Sequence, residues 1–148
     1  YDPADLARLV GDVRAYPPFI PGLKSLRLTR ETATEDGWEG LAHAVVGWRA
    51  ITERFSTHVR CAPQAGEVDV VLDRGPFRRL ENRWRFAPAP EGGSIVRFWI
   101  AYEFANPVLN TLAKVNRTIA VNRIIAAFEA EARRRYGAPP AAVGPAEA

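Results

Sequence analysis

A long segment near the C-terminus, with no internal glycine or proline, constrains the fold of this chain more than any other feature. It runs from Pro107 to Tyr136 and is followed by Gly137, a residue type that commonly ends helices. Asn106 can cap its start, and a proline at the first helical position has no N–H that needs a partner. At about 1.5 Å per residue, the segment predicts one helix of about 45 Å.

Apolar residues recur along this segment with the spacing of an amphipathic helix. A helix of this length with one apolar side needs a large apolar surface to cover it. We predict a single buried stripe made of Val108, Leu112, Val115, Ile119, Val121, Ile124, Ile125, Phe128 and Ala132.

Six segments before the helix alternate between apolar and polar residues, as strands with one buried face do. Short connections rich in glycine and proline, including Asp36-Gly37, join them, so an antiparallel meander is predicted. The fold class is therefore α+β, with a curved sheet wrapped around the long helix. Where the sheet stands away from the helix, a cavity can form. The predicted strands are 25–34, 38–48, 51–61, 68–72, 77–88 and 94–104.

The two ends of the chain differ in character. Asp2-Pro3 predicts a short capped helix. The proline-rich loop after it carries Tyr16, Phe19 and Ile20, which form either a plug over the core or the entrance to a ligand cavity. We expect one domain over 1–137, a further strand before Tyr1, and a disordered tail over 138–148.

Composition excludes several classes of protein. The chain has 148 residues, a net charge of +3 and one cysteine, so no disulfide forms within it and no multi-cysteine metal site is available. No apolar run reaches the roughly 20 residues that span a bilayer. There is no glycine-rich phosphate loop and no nucleophile elbow, and the two histidines lack nearby inward carboxylates. We expect no metal and no covalently bound cofactor.

Three polar residues on the predicted inner face are the candidates for chemistry. Glu53 is either a general acid/base or a hydrogen-bond partner for a ligand carbonyl, or it is a structural carboxylate paired with an arginine or lying at a strand end open to water. Asn82 either contacts a ligand or locks the backbone, and Tyr102 is either a proton donor or a core residue with a bonded hydroxyl. Thr57 shares this face.

The predicted outer face carries a basic row on two adjacent strands. It consists of Arg79, Arg83 and Arg85, beside Arg97 and Trp99. This row is either a contact for a membrane interface or for RNA, or a solvated face with a cation–π contact.

Four motifs, in order, resemble those of the coenzyme Q-binding, START-like proteins of the polyketide cyclase superfamily. They are YPPFIP at 16–21, TERFSTHV at 52–59, GPFRRLENRWRF at 75–86 and AFEAEARRRYG at 127–137. Two positions depart from the family pattern: Gly22 stands where a tryptophan is expected, and Glu131 where an arginine is expected.

The resemblance implies a helix-grip fold with a hydrophobic cavity that holds ubiquinone or a related isoprenoid lipid in support of respiration. A bacterial branch of the family implies an alternative, a toxin-like regulator that binds the ribosome. A third alternative is a polyketide cyclase-like enzyme using Glu53 and Tyr102. We expect a cytoplasmic protein, or one bound peripherally at a bacterial inner membrane, with no DNA partner.

The expected cavity has sheet walls, a helical lid and a mouth at the proline-rich loop. The rival view is that the same side chains fill the space as an ordinary core. The predicted walls are Val46, Phe55, Val70, Leu72, Leu80, Trp84, Phe98 and Ile100, and the predicted lid is Leu112, Val115 and Ile119.

Overall fold

The computed structural model describes residues 1–48, 51–137 and 146–147. Its elements are α1 (Pro3–Gly11), β1 (Leu23–Ala33), β2 (Trp38–Trp48), β3 (Ile51–Ala62), β4 (Glu67–Arg74), β5 (Phe77–Pro88), β6 (Ser94–Phe104), α2 (Pro107–Val115), α3 (Arg117–Tyr136) and β7 (Ala146–Glu147).

The strands form one sheet in the order β1 to β7, and β1 to β6 are antiparallel neighbours. This confirms the predicted α+β meander. Two residues of the tail predicted to be disordered form β7, which pairs in parallel with Val96 and Arg97 of β6. The remaining tail residues, 138–145 and 148, lie outside the described residues.

Both predicted helix starts are capped as the sequence indicates. The Asp2 carboxylate accepts from the Ala4 N–H at 2.8 Å. The Asn106 side chain accepts from the N–H groups of Val108 and Leu109. These bonds satisfy donors that have no partner inside the helix.

Irregularities in strand pairing bend the sheet. The register shifts between Thr29 and Thr32, where Arg30 adopts a φ of 53°, and again between Phe77 and Arg79. Such bulges bend a strand and increase its twist. The sheet therefore has a concave face, on which α1 and α3 pack, and a convex face.

Helix α1 covers one end of the concave face at very close range. Leu9 and Val10 are fully buried, and a Cβ added to Gly11 would lie 2.3 Å from the Cys61 sulfur. Only a residue without a side chain fits there. Gly11 thus lets the helix backbone contact β3 directly.

The predicted 107–136 helix is divided at Asn116, whose ψ of 11° separates α2 from α3. The prediction of one buried stripe is wrong for its first part. At about 100° per residue, the four apolar residues 108, 112, 115 and 119 point roughly 150° away from the buried side of α3. They are 69%, 50%, 77% and 56% exposed.

Hydrogen bonds to the edge of β6 fix this orientation. The Phe104 N–H donates to the Asn110 side chain at 3.2 Å, and the Arg117 guanidinium donates to the Ile100 carbonyl at 2.9 Å. Tyr102 donates its hydroxyl to the Ala113 carbonyl at 3.3 Å. The side of α2 and early α3 that carries 110, 113 and 117 therefore faces the sheet, and the apolar stripe faces outward.

Candidate functional site

Burial on the concave face changes along the strands. At one end, which we call the packed half, inward side chains are buried under α1 and α3; its members are Val59, Cys61, Val68, Trp84, Phe86, Phe98 and Phe128. At the other end, the open half, side chains of the same inward-facing rows are only partly buried; its members are Val46, Glu53, Phe55, Val70, Leu72, Phe77, Leu80, Asn82, Ile100, Tyr102 and Phe104.

The packed half is an aromatic core without room for a ligand. Trp84 stacks on Phe98 with ring centroids 4.1 Å apart, and Phe128 meets Trp84 edge-on at 5.1 Å. Both Trp84 and Phe98 were predicted to line the cavity. The structure places them in this core instead, because α3 brings Phe128 onto them.

An aromatic wall lines the open half. Phe77 lies 5.3 Å from Phe55 and 4.7 Å from Phe104, measured between ring centroids, and Tyr102 follows at 6.1 Å from Phe104. The set of predicted lining residues omits Phe77 and Phe104. Strict alternation assigns Phe77 to the outer face, and only the bulge at the start of β5 turns it inward.

The predicted lid does not cover the open half. Leu112, Val115 and Ile119 lie on the outer side of the helix, so the prediction that they close the cavity is wrong for this structure. The polar side of α2 borders the open half through the contacts of Asn110 and Ala113 with β6. The remaining predicted wall residues, from Val46 to Ile100, belong to the open half.

Asn82 supplies an unusual polar group in this apolar setting. Its side-chain oxygen is buried and, among the described residues, has no hydrogen-bond partner. An unpartnered buried amide is costly, and a side-chain amide both donates and accepts. A ligand hydroxyl would satisfy the oxygen as it stands, and rotation of the amide would present its N–H groups to a ligand carbonyl.

Glu53 and Tyr102 are not brought together. Glu53 lies on β3 and pairs with Val46 of β2, whereas Tyr102 lies on β6 and pairs with Leu80 of β5. Strands β3 and β6 are three positions apart in the sheet. At about 4.8 Å per strand this separation is roughly 14 Å along the sheet. The Tyr102 hydroxyl is bonded to α2, and its ring lies under the Arg117 guanidinium. The structure therefore offers no shared acid/base position for these two residues.

The proline-rich loop lies where the two halves meet. Tyr16 and Phe19 pack edge-on against Phe128 at 5.3 and 5.6 Å, and the loop's last residue, Gly22, accepts a hydrogen bond from Gly47 beside Val46. Burial raises the pKa of Tyr16 well above its ordinary value, and its hydroxyl donates to the Val10 carbonyl. The loop thus covers the packed half with its aromatic rings, and its role as an entrance stays a prediction.

Most of the basic row on the outer face is compensated. Arg60 and Arg85 share Glu67 and Asp69, with the Arg85–Asp69 contact at 2.7 Å. Burial alone would raise the pKa of Asp69, but hydrogen bonds from the two arginines outweigh it and lower the pKa.

The other arginines of that row are also engaged. Arg79 pairs with Glu81, and the Arg83 guanidinium lies 4.9 Å from the centre of the Trp99 ring. The interpretation as a solvated face with a cation–π contact therefore fits these arginines better than a free basic surface does.

The described part of the chain gives little support for a metal site, a reactive thiol or a membrane-spanning helix. No group of three or more His, Cys, Asp or Glu residues there could hold a metal ion. Burial raises the pKa of the Cys61 thiol to about 11, which leaves it protonated near neutral pH. No described helix is long and apolar enough to span a bilayer.

Two curated relatives align with nearly the whole chain. The ribosome association toxin RatA of Rickettsia prowazekii is 29% identical over 136 residues, which cover 90% of each protein. The mitochondrial coenzyme Q-binding protein coq10 of Schizosaccharomyces pombe is 27% identical over 139 residues, 92% of this chain and 83% of that protein.

Solved structures share the fold. The 18 kDa protein CC1736 from Caulobacter crescentus superposes with a TM-score of 0.74 at 37% identity over 93% of each chain. A START superfamily protein from Mycobacterium smegmatis superposes with a TM-score of 0.72 at 20% identity, over 90% of this chain and 91% of that one. The family model described as "Polyketide cyclase / dehydrase and lipid transport" matches residues 1–129. The chain therefore belongs to the polyketide cyclase / dehydrase and lipid transport family and has the START-type helix-grip fold.

Proposed function

We propose that this protein binds an isoprenoid lipid, with ubiquinone as the leading candidate, in the open half of its concave face. The observation that carries the proposal is the incomplete burial of inward-facing apolar side chains at one end of an otherwise packed sheet. An apolar ligand laid against Phe55, Leu72, Leu80 and Ile100 would remove this surface from water. The lipid transport description of the family and the name of the coq10 relative support the same class of ligand.

The polar chemistry of the open half suits a quinone head group. A quinone ring carries two carbonyl oxygens, and its reduced form carries two hydroxyls. The Asn82 amide can donate to the first or accept from the second, so one side chain serves both redox forms. The aromatic wall of Phe55, Phe77 and Phe104 offers ring faces and edges for stacking the head group. The isoprenoid tail would extend along the aliphatic rows of β4 to β6.

This role would make the protein a carrier or presenter of quinone in support of respiratory electron transport, acting in the cytoplasm or at the inner membrane surface of a bacterium. The proposal assigns no bond-making step to any side chain. The separation of Glu53 from Tyr102 argues against the cyclase alternative.

Lipid extraction with a matched pair of variants tests the proposal. Leu72 and Val71 are consecutive on β4 and point to opposite faces, since Val71 is 48% exposed on the convex side. The purified parent protein, Leu72→Trp and Val71→Trp would each be extracted and analysed by mass spectrometry for bound quinone. We expect quinone in the parent and in Val71→Trp, and none in Leu72→Trp, with melting temperatures that agree within a few degrees.

Two results would count against the proposal. If Leu72→Trp destabilises by about 1–3 kcal/mol, the open half is a filled core rather than a ligand site. If the parent retains no lipid and does not take up added ubiquinone, the assignment fails.

Ribosome association is the second candidate function. It rests on the RatA relative, which aligns over 90% of both chains. Sedimentation of the protein with ribosomes at low and high salt tests it, because binding through phosphate contacts weakens steeply as salt rises.

A further inference from the structure

A groove on the convex face has a different chemistry from the lipid site. It has a volume of about 590 Å³ and crosses β1 to β4. Its polar lining consists of Ser25, Arg27, His43, Arg54, Ser56 and Arg74. Cross-strand pairing explains this assembly, because Arg27 lies opposite His43, His43 opposite Ser56, and Ser56 opposite Arg74.

The three arginines of this groove differ from the ion-paired arginines Arg60, Arg79 and Arg85 of the same face. Within the described ranges, Arg27, Arg54 and Arg74 form no ion pair with a carboxylate, whereas Arg60 and Arg85 share two acidic partners. Asp73 is a carboxylate next to the groove. It accepts a hydrogen bond from Ser56 at 2.8 Å, and one of its oxygens lies 3.4 Å from the His58 ring on β3. Among the described residues the groove therefore carries three arginines without an ion pair and one neighbouring carboxylate, which leaves an excess of positive charge.

The spacing of these charges indicates an extended anion. Arg27 and Arg74 are three strands apart, roughly 14 Å at about 4.8 Å per strand, and side chains on a convex surface diverge further. Arg54 lies between them on β3, so positive charge is distributed along the groove rather than gathered at one point. A ligand that engages the whole groove must carry several negative charges along its length, as a nucleic-acid backbone does with one phosphate per nucleotide.

The lining also argues against a lipid surface as the partner. A flat bilayer contacts protruding residues, whereas this site is recessed. The peripheral helices and segments that bind membranes insert apolar or aromatic side chains. Trp99, an exposed aromatic residue of the convex face, lies on β6 at the other side of the sheet and is not part of the groove lining.

We propose that this groove binds the phosphodiester backbone of a nucleic acid, with Arg27, Arg54 and Arg74 as its phosphate contacts. The arginines would contact phosphates rather than base edges, so the site recognises backbone charge rather than sequence. His43 is held by Thr29 through its Nε2 at 2.8 Å and shapes the floor between the arginines. Phe55, a wall residue of the lipid site, also borders the groove, but the proposed phosphate contacts Arg27, Arg54 and Arg74 are not part of the lipid site.

Fluorescence anisotropy with a labelled RNA hairpin, a DNA duplex and phosphatidylglycerol vesicles tests this proposal. The groove variant Arg54→Glu/Arg74→Glu is compared with Arg79→Glu/Arg83→Glu, a control with the same change in net charge on the same face. We expect the groove variant to bind nucleic acid at least about tenfold more weakly near 0.1 M salt. The slope of log affinity against log salt should fall by about two, which corresponds to two lost phosphate contacts. The control should change affinity by less than about threefold.

The three ligands in this experiment distinguish the possible partners. Tighter binding of the hairpin assigns RNA, and tighter binding of the duplex assigns DNA; either supports the proposal. Equal losses in the two variants would show a general charge effect and overturn it, as would binding of vesicles alone or no binding by the parent. If the double variant does not fold, Arg54→Gln and Arg74→Gln should each lower the slope by about one.

Discussion

The two halves of the concave face are built from the same strands and differ in what covers them. In the packed half, α1 and the buried side of α3 lie directly on Cys61, Val68 and Trp84. In the open half, α2 contacts the edge of β6, and its residues Val108, Leu112 and Val115 point outward. The difference teaches that one sheet can carry a stabilising core at one end and leave apolar surface for a ligand at the other.

This division assigns stability and binding to different residues. The packed half should dominate the free energy of folding, because fully buried side chains contribute most there. The open half should tolerate substitution and govern ligand retention.

The contrast is sharpest between two phenylalanines. Phe128→Ala removes a ring that contacts Tyr16, Phe19 and Trp84, and we expect a loss of about 3–5 kcal/mol in the free energy of unfolding. Phe55→Ala, in the open half, should cost less than about 2 kcal/mol because its ring is only partly buried in the absence of ligand. Urea denaturation of both variants measures the difference. Equal losses would remove the distinction between the halves.

A network of ion pairs connects α3 to the packed half. Glu131 is buried and accepts hydrogen bonds from Arg134 and Arg135, and Arg135 also reaches Asp12 at 3.2 Å. These hydrogen bonds lower the pKa of Glu131 from 4.5 to about 2. We expect Glu131→Gln to cost about 1 kcal/mol at neutral pH, since Arg134 is largely exposed and its contribution is screened.

The pH dependence of that cost follows from the direction of the shift. A carboxylate with a lowered folded-state pKa stabilises the protein above its ordinary pKa and loses this contribution as pH falls toward the folded value. The difference between parent and Glu131→Gln should therefore be constant above about pH 5 and shrink as the pH approaches 2. Thermal melts across this range measure it. A difference that grows at low pH would contradict the assignment.

The smallest effect is expected on the outer side of α2. Leu112→Gln and Val115→Gln should change the free energy of unfolding by no more than about 0.5 kcal/mol, because both side chains are exposed. A loss above about 2 kcal/mol would mean that this side of the helix faces the sheet. The same denaturation assay used for Phe128→Ala provides the comparison.

Much of the fold was predictable because its signals are local. Asn106 and Asp2 cap helices through bonds to residues two or three positions away, and alternation along β5 and β6 needs no distant partner. The inward turn of Phe77 was not predictable, because a bulge changes the alternation without a distinctive residue. The pairing of Arg85 was missed because Asp69 comes from a neighbouring strand.

The orientation of α2 was the main feature that the sequence did not predict correctly. Two apolar stripes on opposite sides of one helical segment look continuous when the residues are counted along the sequence. Which stripe faces the sheet depends on the bonds of Asn110 and Arg117 to β6, and these exist only in the folded protein. The predicted lid was therefore wrong, while the assignment of the sheet residues to a ligand site stays a prediction.

Methyl NMR of the leucine- and valine-labelled protein tests the central claim most directly. On addition of a short-tailed ubiquinone, the methyl signals of Leu72 and Leu80 should shift, and those of Leu9 and Val68 in the packed half should stay in place. The two groups of signals come from the same sheet, so each spectrum contains its own control. Shifts confined to Leu112 and Val115, or no shift at all in the open half, would contradict the account.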